Sequence, residues 1–366
     1  RWGIQMSELY IGVMSGTSLD GVDIVLCEVK ENSFELLHSC EYPYPKHLKN
    51  EILTAIDEPV TLKTIGELDT KLGKLFADTL NRFIVDNKIN MDSITAIGLH
   101  GQTLWHEPNS EYPFSMQLGN ASIVSALTGV SVVSDFRQKD IAFGGEGAPF
   151  APAFHNYLFS RLDKKTAVLN IGGIANISIL REELIGYDTG CGNTLMDLWI
   201  SAKKSKAYDE NGDWANSGTC SQRLLKLMLD DPYFSLPTPK STGREYFNKD
   251  WLDKHLNYFE EFTNEDVQAT LLELTATSCA NEAKKFDTEL LIVCGGGAKN
   301  TLLIKRLKEI MSPIEVVSSD ECGVSSDFME AMAFAWLAYK RVHKEKVQLS
   351  SVTGAKQDTI LGALYE

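Results

Sequence analysis

No apolar run in this chain approaches the length needed to span a bilayer. Its N-terminal residues show no secretory signal pattern. The seven cysteines, at 27, 40, 191, 220, 279, 294 and 322, are scattered, odd in number and free of any C-x-x-C pair. They therefore read as reduced thiols of a cytosolic protein rather than a disulfide framework. Positive charge is in deficit: Lys and Arg total 35 against 50 Asp and Glu, a net charge of -15. That balance argues against nucleic acid or an anionic membrane as the main partner. It does not exclude an anionic small molecule, because a site's local field can oppose the net charge. No G-x-x-x-x-G-K-[ST] loop occurs, nor an H-R-D or D-F-G set, so Walker-type and protein-kinase chemistry are both excluded. His100, His106 and His155 lack metal-ligand spacing, and no dedicated zinc site is expected.

What is present is ordinary soluble composition, 43% hydrophobic and 23% charged over 366 residues, enough chain for about two domains. Strands are expected at Leu9 to Met14, Val22 to Val29 and Phe34 to Cys40. Helices follow at Leu48 to Ile56 and Leu62 to Val85, where Leu68, Leu72, Leu75 and Phe76 recur on one face. Short buried strands are expected at Ile94 to Leu99 and Val130 to Val133. The second half opens in the same way, with strands at Thr166 to Asn170, Ile174 to Leu180 and Leu184 to Tyr187. Helices come next, then strands at Leu290 to Cys294 and Ile314 to Val317, and a long apolar helix from Phe328 to Val342. The chain thus reads as two α/β units that repeat in topology, each opening with a hairpin whose turn is glycine-rich. Two such turns facing one another across an interdomain cleft could grip a polyphosphate from both sides.

Several polar segments carry candidate chemistry. Ser15 to Gly21 holds two glycines, three hydroxyls and an acid between two strands. It can cradle phosphate or simply connect a hairpin. Gly295-Gly296-Gly297 lies between a strand and a helix without G-x-G-x-x-G spacing. It suits a flat base or ribose, or merely close packing. His100, Gln102 and Thr103 fall in a glycine-flanked loop after a strand, and such side chains read hydroxyls and amides well. Arg137, after Asp135-Phe136, can clamp a carboxylate or pair with Asp135 or Asp140. Gly144 to Pro149 marks the domain crossing. Asp188 ends a strand beside glycines and suits general-base work or an Asx-turn. Glu330 is an acid in a helix apolar nearly all round, either functional or part of an Asp327-x-x-Glu330 capping box.

Taken in order, these segments carry a resemblance. Gly12-Val13-Met14-Ser15-Gly16-Thr17-Ser18-Leu19-Asp20-Gly21-Val22-Asp23, His100-Gly101-Gln102-Thr103, Asp135-Phe136-Arg137 and Gly144 to Pro149 stand in the first half. Asn170 to Asn176, Asp188-Thr189-Gly190, Lys240-Ser241-Thr242-Gly243-Arg244-Glu245, Gly295 to Asn300 and Glu330-Ala331 follow. Each is weak singly. As an ordered set running from about Leu9 to Leu364, they resemble the anhydro-N-acetylmuramic acid kinases of the superfamily that includes actin, hexokinase and the Hsp70 ATPase.

The resemblance implies two actin-like (ribonuclease H-like) α/β domains, residues 1–145 and 146–366, with an interdomain cleft and with 350–366 packing back onto the first. It implies ATP and Mg²⁺, a small amino-sugar substrate, a cytoplasmic homodimer and a role in cell-wall sugar recycling. Asp188 would be the catalytic base. Gly16, Thr17, Ser18, Leu19, Asp20, Gly21, Val22 and Asp23 would hold phosphates, opposed by Gly172, Gly173 and Asn176. Gly295, Gly296, Gly297 and Asn300 would receive the adenosine. His100, Gln102, Thr103, Arg137 and Glu330 would hold the sugar, with Arg137 on its lactyl carboxylate. Asp20 and Asp188 are the candidates for orienting the metal's waters. Other expectations remain open: a sugar or acetate-type kinase or a phosphatase of the same fold, or a nucleotide sensor without catalysis.

Overall fold

The computed structural model describes residues 7–17, 19, 21–258 and 262–366. Its strands, in chain order, are β1 (Glu8–Ser15), β2 (Gly21–Lys30), β3 (Ser33–Pro43), β4 (Ile94–Glu107), β5 (Phe114–Leu118) and β6 (Val132–Ser134). They continue with β7 (Thr166–Ile171), β8 (Ile174–Leu180), β9 (Ile185–Cys191), β10 (Leu290–Cys294), β11 (Glu315–Ser318) and β12 (Ala363–Tyr365). They form two sheets, in two compact units. One unit comprises the described residues up to Leu158 together with Phe328–Glu366, and the other is Phe159–Asp327.

The first sheet runs β12-β6-β4-β1-β2-β3, with β5 added to β4 as a hairpin. β1, β2 and β3 form an antiparallel meander, whereas β1, β4 and β6 are parallel. The second sheet runs β11-β10-β7-β8-β9. Here β7, β8 and β9 are the meander and β7, β10 and β11 are parallel. With the β5 hairpin and β12 set aside, the two units repeat one strand order, third-second-first-fourth-fifth, which is the topological repeat legible in the sequence.

Alternation along β1 sends successive side chains to opposite faces. Ile11 and Val13 join Leu68, Leu72, Phe76, Leu80 and Phe83 of the helix Leu62–Asp86 in one buried cluster. Gly12 points the other way. It sits opposite Gly98 of β4, and both lie under the helix Met329–Val342. A Cβ at Gly12 would fall 1.9 Å from the Ala331 carbonyl oxygen, and one at Gly98 would fall 2.0 Å from that of Phe334. Only glycine lets this helix seat directly on the strands. The helix is buried nearly all round, as its composition requires. In the second unit, Ala167, Leu169 and Ile171 of β7 pack with Leu271, Leu274 and Cys279 of the helix Asn264–Lys284.

Three expectations differ from what is observed. The chain groups with a boundary near 158, not 145. Phe154 and Tyr157 pack on Phe34 and Trp336, which holds residues 151–158 in the first unit. The apolar helix Met329–Val342 also belongs there, and β12 pairs antiparallel with β6. Second, β4 does not stop at Leu99. Gly101 adopts φ +79° and the register shifts beside it, a bulge that lets the strand continue into the β4–β5 hairpin. His100, Gln102 and Thr103 are thus on a strand rather than a loop. Third, β9 continues past Tyr187 to Cys191, so Asp188 lies within a strand. A register shift between Ala175 and Asn176 accommodates this.

Candidate functional site

The expected phosphate turn of the first unit is anchored. Leu19, at φ 56°, is buried, and its N–H donates to the Gly16 carbonyl at 3.2 Å. Thr17 is exposed above it. Ser18 and Asp20 lie outside the described residues. Gly21, Val22 and Asp23 open β2, where Val22 is buried opposite Ser15. Ser15 donates from its hydroxyl to Gln102 Oε1, which also accepts from Tyr44 at 3.1 Å. Gln102 Nε2 donates to the Thr103 carbonyl, and Thr103 Oγ1 accepts from Gln117. The Gln102 amide is therefore committed to bracing the turn from below.

Arg137 is fixed on three sides. Nη1 donates to the Gly147 carbonyl at 2.7 Å, Nη2 lies 2.8 Å from His100 Nε2, and the guanidinium lies over the Phe150 ring. His100 Nδ1 is 2.7 Å from the Gly101 carbonyl. Since that carbonyl can only accept, Nδ1 carries the proton and Nε2 accepts from Arg137. Burial, aided by Arg137, pushes the His100 pKa down to about 3, so the imidazole is neutral. Burial lowers Arg137 to about 10, opposed by Glu330, and the guanidinium stays charged near neutrality. Asp140 is not its partner. That carboxylate instead accepts from the Gly147 N–H and the Thr353 hydroxyl.

Glu330 lies in the first turn of Met329–Val342, whose N-cap is Phe328 with no side-chain capping bond. Asp327 pairs with Lys299 at 2.7 Å, so the capping box does not form. Glu330 is exposed by surface area, yet the protein packed around it displaces enough water to raise its pKa, while Arg137 pulls it back.

In the second unit, directly paired residues on β7, β8 and β9 set a polar row, Asn170 to Asn176 to Asp188. Asp188 is held by a segment far away in the chain. Its Oδ2 accepts from the Thr242 N–H at 3.0 Å and the Ser241 hydroxyl at 3.2 Å. Its backbone N–H donates to the Lys240 carbonyl at 3.0 Å, and its carbonyl accepts from the Tyr233 hydroxyl at 2.7 Å. Among the described residues nothing donates to Oδ1. Burial raises the Asp188 pKa against the two hydrogen bonds, and Glu245 adds to the rise. One carboxylate oxygen is thus held by two donors, the other accepts from no described group, and burial holds the pKa above that of a solvated aspartate. The Lys240-Ser241-Thr242 segment was not assigned a role from sequence. Its place among the ordered motifs of the resemblance is the signal that points to it.

The Gly172-Gly173 turn is clamped by the β9–helix junction. Gly172 O accepts from Asn193 N at 2.8 Å, and Gly173 O accepts from Gly192 N at 2.8 Å and Thr194 N at 3.1 Å. The glycine triplet divides in two. Gly295, at φ +78°, and Gly297 lack room for a Cβ, which would fall 2.4 Å from Asn170 Oδ1 and Ile171 Cγ2 respectively. At Gly296 the nearest atom to a Cβ would be Asn193 Nδ2, 3.9 Å away. Packing therefore explains Gly295 and Gly297, and Gly296 has open space over it. Asn300 caps the helix Thr301–Met311 by accepting from the Leu303 N–H, so its side chain is already engaged.

A strand order repeated in two units, each with a glycine turn between its first two strands, defines an actin-like α/β protein. The model of the anhydro-N-acetylmuramic acid kinase family matches residues 8–366. The anhydro-N-acetylmuramic acid kinase of Sulfurimonas denitrificans is 60% identical, covering 99% of this chain and 100% of its own. That of Pasteurella multocida is 50% identical, with 97% and 96% covered. The solved (R)-2-hydroxyglutaryl-CoA dehydratase component A of Acidaminococcus fermentans covers 92% of this chain and 100% of its own, at 12% identity and a TM-score of 0.47. The chain belongs to the anhydro-N-acetylmuramic acid kinase family.

Proposed function

We propose that this chain uses ATP and water to open the 1,6-anhydro ring of anhydro-N-acetylmuramic acid and to phosphorylate O6. The products are N-acetylmuramic acid 6-phosphate and ADP. The observation that carries the mechanism is Asp188, with Oδ2 fastened by Ser241 and Thr242 and Oδ1 open.

O6 is tied up in the bridge to C1, so it cannot attack phosphate until that bond breaks. Asp188 Oδ1 takes a proton from water as the water oxygen bonds to C1. The C1–O6 bond breaks, and its electron pair leaves on O6. O6 then attacks the γ-phosphorus, and ADP departs. The phosphoryl group accepts the charge that a general acid would neutralise in an inverting glycosidase, so one carboxylate suffices. The raised pKa makes Asp188 a stronger base than a solvated aspartate.

Arg137, oriented by the neutral His100, meets the lactyl carboxylate. Glu330 accepts from sugar hydroxyl or amide groups. Thr17 and the backbone from Gly16 to Asp23 hold phosphate oxygens, as does the Gly172-Gly173 turn, and Gly296 gives the adenosine a flat floor. Bound to the polyphosphate, Mg²⁺ supplies charge neutralisation for the transferring group. Among the described residues no cluster of three His, Cys, Asp or Glu side chains could hold a metal alone. That suits an ion carried by phosphate and water, with Asp188 able to orient a water. We assign the reaction to recovery of cell-wall sugar in the cytoplasm, by a homodimer.

The test is turnover of the anhydro sugar with ATP and Mg²⁺ in ¹⁸O water. The expected product carries ¹⁸O at C1 and none at O6. Product unlabelled at C1 would overturn the mechanism. Equal rates on a hexose with a free 6-hydroxyl would favour an ordinary sugar kinase.

A further inference from the structure

Arg244 lies beside the glycine turn of the second unit, and the mechanism above gives it no role. A Cβ at Gly173 would fall 3.0 Å from Arg244 Nη2 and 3.1 Å from Nε. The edge of the guanidinium that forms paired hydrogen bonds thus lies against the turn. The same point is 2.9 Å from Thr194 Oγ1. That hydroxyl is buried and has no hydrogen-bond partner among the described residues. Arg244 itself is exposed, and no described side chain forms an ion pair or hydrogen bond with it.

The backbone is oriented for an anion. A trans peptide directs its C=O and the following N–H oppositely. The Gly172 and Gly173 carbonyls point at residues 192–194, so the N–H groups of Gly173 and Ile174 point away from that junction. Successive N–H groups with a guanidinium alongside suit an oxyanion. Asp197 is coupled electrostatically to Arg244. Burial pushes its pKa up to about 7, and the guanidinium pulls it back. Burial disfavours the charged form of this acid, so it offsets the Arg244 charge less than a solvated carboxylate would.

We propose that Arg244 binds an oxygen of the nucleotide's transferable phosphate at the Gly172-Gly173 turn. This rests on the reading that the turn faces the polyphosphate. In phosphoryl transfer, charge spreads over the equatorial oxygens of the moving group. A guanidinium placed there lowers the barrier more than it strengthens ground-state binding.

Arg244→Met and Arg244→Lys are the variants to compare. Arg244→Met is expected to lower kcat about 100-fold or more, with the sugar KM within a few-fold and Tm unchanged. Lys should retain an intermediate rate, because it keeps the charge and loses the fork. Calorimetry without sugar should show Arg244→Met weakening MgATP binding more than MgADP binding. This second arm needs no sugar chemistry, so it stands even if the ring-opening mechanism fails. Turnover of Arg244→Met within three-fold of the unsubstituted protein would overturn the proposal. So would equal weakening of MgATP and MgADP, or a fall in Tm shared by both variants.

Discussion

Lys240 Nζ lies 2.8 Å from Glu282 Oε1, and their side chains are 2% and 3% exposed. Such a buried pair loses much hydration and is seldom retained for stability alone. Here it fastens the segment that holds Asp188. Lys240 also donates to the carbonyls of Tyr233 and Phe234, and its own carbonyl accepts from Asp188 N. Glu282 accepts in addition from Lys285 and from Tyr187, the neighbour of Asp188. Burial alone would raise the Glu282 pKa. The hydrogen bonds from Lys240, Lys285 and Tyr187 outweigh it and hold the group ionised.

Removing one partner should therefore differ from removing both. Lys240→Met alone leaves the buried Glu282 Oε1 without its donor, while Oε2 keeps Lys285 and Tyr187, and should cost about 1–3 kcal/mol of stability. The double variant Lys240→Met/Glu282→Leu should recover most of that loss. Its kcat should still fall, because the Ser241-Thr242 clamp on Asp188 loses its anchor. Calorimetric Tm and steady-state kinetics on the same samples check both points. A double variant with full kcat would show the pair to be structural only.

Asp188→Asn should lower turnover about 10²–10⁴-fold, the range for a positioned base, with ATP affinity within a few-fold. Because the Asp188 pKa is raised, the acid limb of kcat/KM should lie above the usual aspartate value of about 3.9. Activity is present when the carboxylate is ionised and is lost as pH falls through that pKa. The Ser241 hydrogen bond stabilises the ionised form, so Ser241→Ala should move the limb to higher pH. A shift to lower pH would mean that another group titrates.

Arg137→Ala should raise the sugar KM about 10–100-fold, as loss of a charge-assisted hydrogen bond requires, and leave the ATP KM nearly unchanged. Equal effects on the two substrates would assign Arg137 to bracing Gly147 and His100.

Glycines with different neighbours should respond differently. Gly98→Ala drives a methyl into the Phe334 carbonyl and should cost about 1–3 kcal/mol or more, visible as a lowered Tm. Gly296→Ala meets open space. It should leave Tm in place while weakening nucleotide binding in a titration with ADP.

The repeated meander was legible because strand alternation and glycine turns are local. Thr166 to Asn170 and Leu290 to Cys294 show themselves by apolar β-rich runs between breakers. The continuation of β4 through His100 was not legible, because Gly101 reads equally as a turn or as a bulge until β5 pairs with it. The grouping of the chain into units depends on contacts of the same long-range kind. Residues 151–158 are held by Phe34 and Trp336, more than a hundred residues away on either side.

By itself the sequence determined most of the strands and helices, the repeat and the residue types from which a site is built. Hydrophobic period, turn chemistry and ordered motifs all act over a few residues. Tertiary structure alone decided what each polar group touches. Asp188 meets Thr242 across 54 residues, and Arg137 meets His100 across 37. Those partners fix one oxygen of the Asp188 carboxylate, and the Asp140 carboxylate is taken by Gly147 and Thr353 rather than by Arg137. Hydrogen bonding and desolvation depend on which atoms come within about 3 Å, and sequence spacing does not carry that information across a fold.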